Sequence, residues 1–176
     1  MTADDVARGG TTSEAVPPDD LVTFSVNGLP IAVQARAQEQ ADELTRELTL
    51  IGAQLRHEGN TRDLPALLVD LIEQLTAQYS MFTVEQEQQI ADAIAQGHDT
   101  IDLTYRMPAS AATAATALGD ILDEADDYCR AGQHLLTLAT PDDLVAYRRW
   151  FLSQFTGQAA GQPPISWDDY LRQLAT

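Results

Sequence analysis

Between Val33 and Leu55, apolar side chains recur every three or four residues, at Val33, Ala37, Ala41, Leu44, Leu48, Ile51 and Leu55, with no proline among them. A repeat of this period sustained so far describes one face of a helix of about six turns. Pro30 suits its first turn, and Gly59 its end. A helix this long gains little from propensity alone, so the rest of the chain must supply surfaces that cover its stripe.

Those surfaces can be read on either side. Ahead of the helix, Val22, Phe24 and Val26 alternate with Thr23, Ser25 and Asn27, the period of a half-buried strand, and Asn27-Gly28 reads as a turn. Behind it, Asp63 caps a second helix with the stripe Leu64, Leu67, Leu68, Leu71, Ile72 and Leu75. Thr83 and Gln86 resemble a capping box opening a third, which runs through Ile90 and Ile94 to Gly97. The second half opens like the first. Ile101, Leu103, Tyr105 and Met107 alternate with polar residues, Pro108 follows, and an alanine-rich stripe runs from Ala111 through Ala115, Leu118, Leu122 and Ala125 to Cys129, ending by Gly132. Superposing Pro30 on Pro108 places Ala37 on Ala115 and Leu44 on Leu122, so the expectation includes a strand, proline and long helix repeated in halves 21–97 and 100–176. Thr140-Pro141 then starts a helix carrying Leu144, Tyr147, Phe151 and Phe155 to Gly157, and Ser166 with Asp169 caps a short terminal one. The expected fold is an α-rich α+β domain over 21–176, with two short strands and about five helices. Residues 1–20, rich in Asp, Gly, Thr and Pro, are expected to form a disordered acidic tail.

Charge narrows the function classes. With 27 acidic and 10 basic side chains the net charge is −17, a field that disfavours nucleic acids and anionic membranes. Every basic residue is arginine. A phosphate-loop lysine, a kinase strand lysine and a Schiff-base lysine are therefore all excluded. The lone Cys129 excludes an internal disulfide and a cysteine zinc site. No membrane-spanning apolar run or secretion signal is read, so the expected compartment is the cytoplasm.

Two segments hold candidate functional residues. On the alanine-rich helix, Asp120, Asp123, Glu124, Asp126 and Asp127 crowd together, with Asp120, Glu124 and Asp127 at i, i+4 and i+7 on one face. That spacing is compatible with a hard cation and hence with a metal-dependent hydrolase. No Glu-x-x-His pair accompanies it, and acids at a helix C-terminus also make a solvated, partner-facing surface. The other segment is Tyr147-Arg148-Arg149-Trp150-Phe151, within a stretch holding six of the eleven aromatics. Trp150 points away from the apolar stripe, which reads either as an interface anchor or as a ring covered by Trp167 and the Pro-rich tail. Arg148, at the stripe's edge, is placed to pair with the acids of the fourth helix. His57, His98 and His134 are scattered, with no two at ligand spacing.

The runs Phe24-Ser25-Val26-Asn27-Gly28-Leu29-Pro30, Val33-Gln34-Ala35-Arg36-Ala37, Leu118-Gly119-Asp120-Ile121-Leu122-Asp123-Glu124-Ala125-Asp126 and the stretch from Cys129 to Ala139 resemble those of small actinobacterial proteins of unassigned function. Such proteins accompany anti-sigma kinases, sigma-antagonist domains and PP2C-type phosphatases in partner-switching stress circuits. The likeness spans most of residues 21–167 and carries no catalytic motif. The Glu-x-x-x-Asn helix and Asp-x-Gly-x-Gly lid of the kinase members are missing. The resulting expectation is a non-catalytic, cofactor-free regulatory or adaptor protein. It binds a cytoplasmic protein through Asp120, Asp123, Glu124, Asp127, Arg148, Arg149 and Trp150, and a homodimer is compatible with its leftover apolar edges.

Overall fold

The computed structural model describes residues 21–57, 64–130 and 140–175. The acidic tail, the Asp63 cap, the glycines at 59 and 132 and His134 lie outside the described residues, as do the side chains of His57 and Cys129. The elements run β1 (Leu21–Pro30), α1 (Ile31–His57), α2 (Leu64–Tyr79), a single 3-10 turn at Ser80–Phe82, α3 (Val84–Ala95), β2 (Thr100–Pro108), α4 (Ser110–Arg130), α5 (Asp142–Ala159) and α6 (Trp167–Leu174). This is the α-rich α+β arrangement that periodicity implies, with six helices among the described residues. The order of strand, proline and long helix occurs twice, as β1–α1 and β2–α4.

The two strands pair with each other, antiparallel, from Leu21 opposite Pro108 to Pro30 opposite Thr100. Asn27-Gly28 is therefore not a turn. It lies inside β1 as a bulge, where the register slips between Val26 and Leu29. Gly28 takes φ +66°, a left-handed conformation that glycine adopts without steric cost, and its N–H donates to Asp102 Oδ1 at 2.6 Å. The extra residue has a purpose in packing. It keeps Phe24, Val26 and Leu29, all fully buried, on the same inner face as Leu103, Tyr105 and Met107.

A two-stranded sheet is marginal by itself, because one face and both edges need cover. The inner face is covered by aromatics: Phe155 of α5 lies 5.3 Å from Phe24 and 5.5 Å from Tyr105, ring centre to ring centre. The edges are closed by glutamines. Ser25 and Thr104 sit directly opposite each other. On the β1 side, Gln158 of α5 accepts from the Ser25 N–H at 2.9 Å and donates to the Ser25 carbonyl at 2.7 Å, so its amide acts as a third strand one residue long. On the β2 side, Gln86 of α3 donates to the Thr104 carbonyl at 2.5 Å. Replacing Gln158 by leucine strands both backbone groups of Ser25. The expected loss of about 1–3 kcal/mol in unfolding free energy should appear in urea titration, with faster exchange of the Ser25 amide.

Several helix starts differ from the sequence reading in instructive ways. Thr83 precedes α3, but its hydroxyl donates to the Ser80 carbonyl and Glu87, and its side chain makes no cap bond. Gln86 faces inward to β2 and closes no capping box. Helix α5 begins one residue later than expected, with Pro141 as its N-cap and Asp142 and Asp143 in the first turn, where the helix dipole favours them. It also runs through Gly157 to Ala159, the reversal coming at Gly161 with φ +81°. The Ser166 cap is formed as expected, accepting from the Asp169 N–H at 3.2 Å.

Candidate functional site

Helix α4 turns Ala111, Ala115 and Ala125 inward and leaves Asp120, Glu124 and Asp127 exposed. Gly119 lies against α5, where a Cβ in its place would stand 3.4 Å from the Leu152 side chain. A second core cluster, Ala125 with Leu44, Ile72, Ile121 and Leu122, fastens its lower half to α1 and α2.

Along the α4–α5 seam the acids divide by role. Asp126 is buried at 4% exposure, although a carboxylate needs a partner to be left dry. It has two: Arg148 at 2.8 Å, and the Thr140 N–H, which donates to Oδ1 at 3.2 Å. Arg148 is only 14% exposed in its side chain and also pairs with Asp123. Asp123 in turn accepts from Arg149 at 2.9 Å. Burial pushes the Asp123 carboxyl up, but hydrogen bonds from Arg149 and Arg148, with their charges, outweigh it and hold the group below the usual carboxylate range. Arg148 is thus a structural clamp between the helices. Arg149, which is exposed, sits at the rim.

Asp120, Glu124 and Asp127 stay outside this network. Asp127 pairs with Arg130 at 2.9 Å on the surface, while Asp120 and Glu124 make no ion pair among the described residues. The i, i+4, i+7 spacing does not produce a metal site: among the described residues no three His, Cys, Asp or Glu side chains come together in a way that could hold an ion. His98 is exposed. Among the described residues, therefore, the hydrolase reading finds no cluster that could cage a cation.

Trp150 overturns the interface-anchor reading outright, being 0% exposed. Its indole N–H donates to the Ile165 carbonyl at 2.8 Å, and Trp167 packs against it at 5.4 Å. Gln154, one turn on, accepts from the Ile165 N–H at 3.0 Å. One face of α5 thus holds both backbone groups of Ile165, and the Pro-rich segment folds back over the tryptophan. Tyr147, on the neighbouring stripe, stands 5.8 Å from Trp167, and burial pushes its phenol well above the ordinary range. Sequence reasoning placed Arg148 against the acids of this helix, and the structure pairs it with Asp123 and Asp126, but the burial of Asp126 was not singled out. The signal was available, since Asp126 lies four residues after Leu122 and so on the edge of the apolar stripe.

No helix among the described residues is long and apolar enough to cross a membrane. No family model matches the sequence, and the comparisons with curated proteins and with solved structures return no match.

Proposed function

We propose that this chain is a non-catalytic regulatory protein that presents the outer face of α4, at Asp120, Glu124 and Asp127, to a basic surface on a protein partner. The observation that carries the reading is how the arginines are used. Arg36, Arg130, Arg148, Arg149 and Arg172 are each paired with a carboxylate of the same molecule. These five cations are offset within the molecule, while the exposed Arg46 and Arg106 are in no such pair; on the outer face of α4, Asp120 and Glu124 stay exposed without an ion pair among the described residues, beside the Asp127–Arg130 pair. A surface of that sign speeds encounter with a basic partner and weakens as salt screens it. Asp123 and Arg149 lie at the rim of this surface, while Arg148 and Trp150 belong to the scaffold beneath it. The resemblance of the β1–α1 and α4 segments to companions of anti-sigma kinases and PP2C-type phosphatases supports a cytoplasmic place in a partner-switching circuit.

The test is affinity capture from the native host with the full chain and two variants. One carries Asp120→Asn, Glu124→Gln and Asp127→Asn. The other removes the same number of charges from α3, through Glu85→Gln, Glu87→Gln and Asp92→Asn. A partner held through α4 is retained by the wild type and the α3 variant, is depleted about tenfold on the α4 variant, and elutes as salt shortens the Debye length from roughly 10 Å toward 3 Å. Equal retention on all three proteins, or retention indifferent to salt, would overturn the reading. Recovery of a sigma-antagonist or phosphatase supports the circuit; a retained protein of another kind removes it.

A further inference from the structure

A cleft of about 310 Å³ opens between α1, the α2–α3 corner, the inner face of β2 and α4. That is the lower end of the size typical of small-molecule sites. Its walls are mostly apolar, with Met107, Ala111 and Leu118 among them. Two wall residues, Tyr105 and Glu87, carry chemistry that the fold itself does not use up.

Three tyrosines are buried around this part of the core, and two of them spend their hydroxyls within the molecule, Tyr79 on Ser110 at 3.0 Å and Tyr147 on Gln34. Tyr105 is 6% exposed, and its hydroxyl makes no hydrogen bond among the described residues. It also differs from Gln86 Oε1 and Arg148 Nε, the partnerless polar atoms that are sealed from solvent. The small exposure that Tyr105 keeps therefore opens on the cleft it lines. A phenol brought into a core ordinarily finds a partner there, so this one is satisfied only by what enters the cleft.

Charge then selects the occupant. Among the described residues, Glu87 is the one charged side chain in the walls, and it is exposed at the rim. Its Oε1 accepts from the Thr83 hydroxyl at 2.9 Å, and its Oε2 has no partner among the described residues. It stands near enough to Tyr105 for its charge to be felt there, since burial and that carboxylate push the phenol up to about 12. A carboxylate can only accept hydrogen bonds, and it repels an anion. An alcohol has a single donor and no charge, whereas a protonated amine has several donors and a charge of the required sign.

We infer that this cleft binds a small organic ammonium ion, whose N–H groups donate to the Tyr105 hydroxyl and the Glu87 carboxylate and whose apolar body lies against Met107, Ala111 and Leu118. The occupant is a free molecule and not a lysine of a protein partner, because apolar walls offer the peptide groups beside a lysine nothing to bond. The inference is independent of the acidic face of α4 and stands whether or not a protein partner is found there.

The experiment titrates the full-length protein at about 0.15 M salt with hexylammonium, 1-hexanol, hexanoate and the amide of N-acetyl-lysine, following methyl resonances by NMR. Hexylammonium should give saturable shifts, with nuclear Overhauser contacts from its chain to Met107 and Leu118. It should bind about threefold to fivefold more tightly than hexanol, the scale of an ion pair with an exposed carboxylate, and hexanoate and the lysine derivative should bind more weakly than either. Glu87→Gln should abolish the preference for ammonium over alcohol. Glu85→Gln removes an exposed charge from the same helix outside the cleft and should leave the preference intact, which separates the site from general attraction to an acidic protein. Tyr105→Phe strands no protein group, so the variant should stay folded while binding hexylammonium about tenfold more weakly, as for one lost hydrogen bond to a charged group. Equal affinity of the wild type for hexylammonium and hexanol, an equal effect of the two glutamate variants, or tighter binding of the lysine derivative would overturn the proposal.

Discussion

Replacing Trp150 by alanine is expected to lower the free energy of unfolding by about 3–5 kcal/mol, the range for removing a large buried aromatic. Three effects add. The side chain is wholly buried and touches Tyr147, Phe151 and Trp167, with ring centres 5.4–6.5 Å apart. Its N–H satisfies the Ile165 carbonyl. Its loss also unpins the segment that carries Trp167, so α6 loses its seat on β1 and α5. Against a total stability of roughly 5–15 kcal/mol for a domain, that is a large fraction. Trp150→Phe separates the contributions: it keeps a ring against Tyr147 and Trp167 but leaves the carbonyl unmet, and should cost clearly less than the alanine variant. Urea titration measures both. In a Trp167→Phe background, Trp150 should emit at short wavelength when folded and shift to the red on unfolding. A loss below about 1 kcal/mol for Trp150→Ala, outside the expected range, or water-like emission in the folded state, would show the ring to be exposed and restore it as a candidate anchor.

Trp150 also shows where a sequence stops being legible. That it leaves the Leu144–Tyr147–Phe151–Phe155 stripe follows from helical geometry alone. Whether a displaced tryptophan meets a partner or its own chain is decided by what a loop fifteen residues away does, and Ile165 carries no local signal for it. The long helices α1 and α4 were legible because period alone predicts them. Asn27-Gly28 was misread for the opposite reason. Those residues do suit a tight turn, but the partner of β1 lies beyond three helices, and with a distant partner the same glycine makes a bulge. Gln86 was taken as a cap because Thr83 stands three residues before it. Its inward role was visible only in its spacing from Ile90, four residues on along the same face.

The acidic residues of α4 divide between a pair bound to Arg148 and an exposed face, and Arg148→Met tests the division. Removing the guanidinium leaves Asp126 buried with the Thr140 N–H as its one remaining partner among the described residues. Breaking a buried pair from one side typically costs about 3–5 kcal/mol, because the charge left behind has lost its compensation. The double variant Arg148→Met/Asp126→Leu removes that charge as well and should recover most of the loss, since apolar replacement of a buried pair is often neutral. Acid titration supplies a second readout. The Asp123 carboxyl is held below its usual range in the folded protein, so its contribution is present above the unfolded value of about 4 and fades as pH falls through the folded value. The gap between wild type and Arg148→Met should therefore narrow below about pH 4. Partner capture completes the separation of roles. If Arg148 is scaffold, the variant, kept folded at low temperature, still retains whatever the outer face of α4 holds. A variant of unchanged stability that releases the partner would instead place Arg148 in the contact itself, and the outward-facing carboxylates would lose their standing as the sole recognition surface.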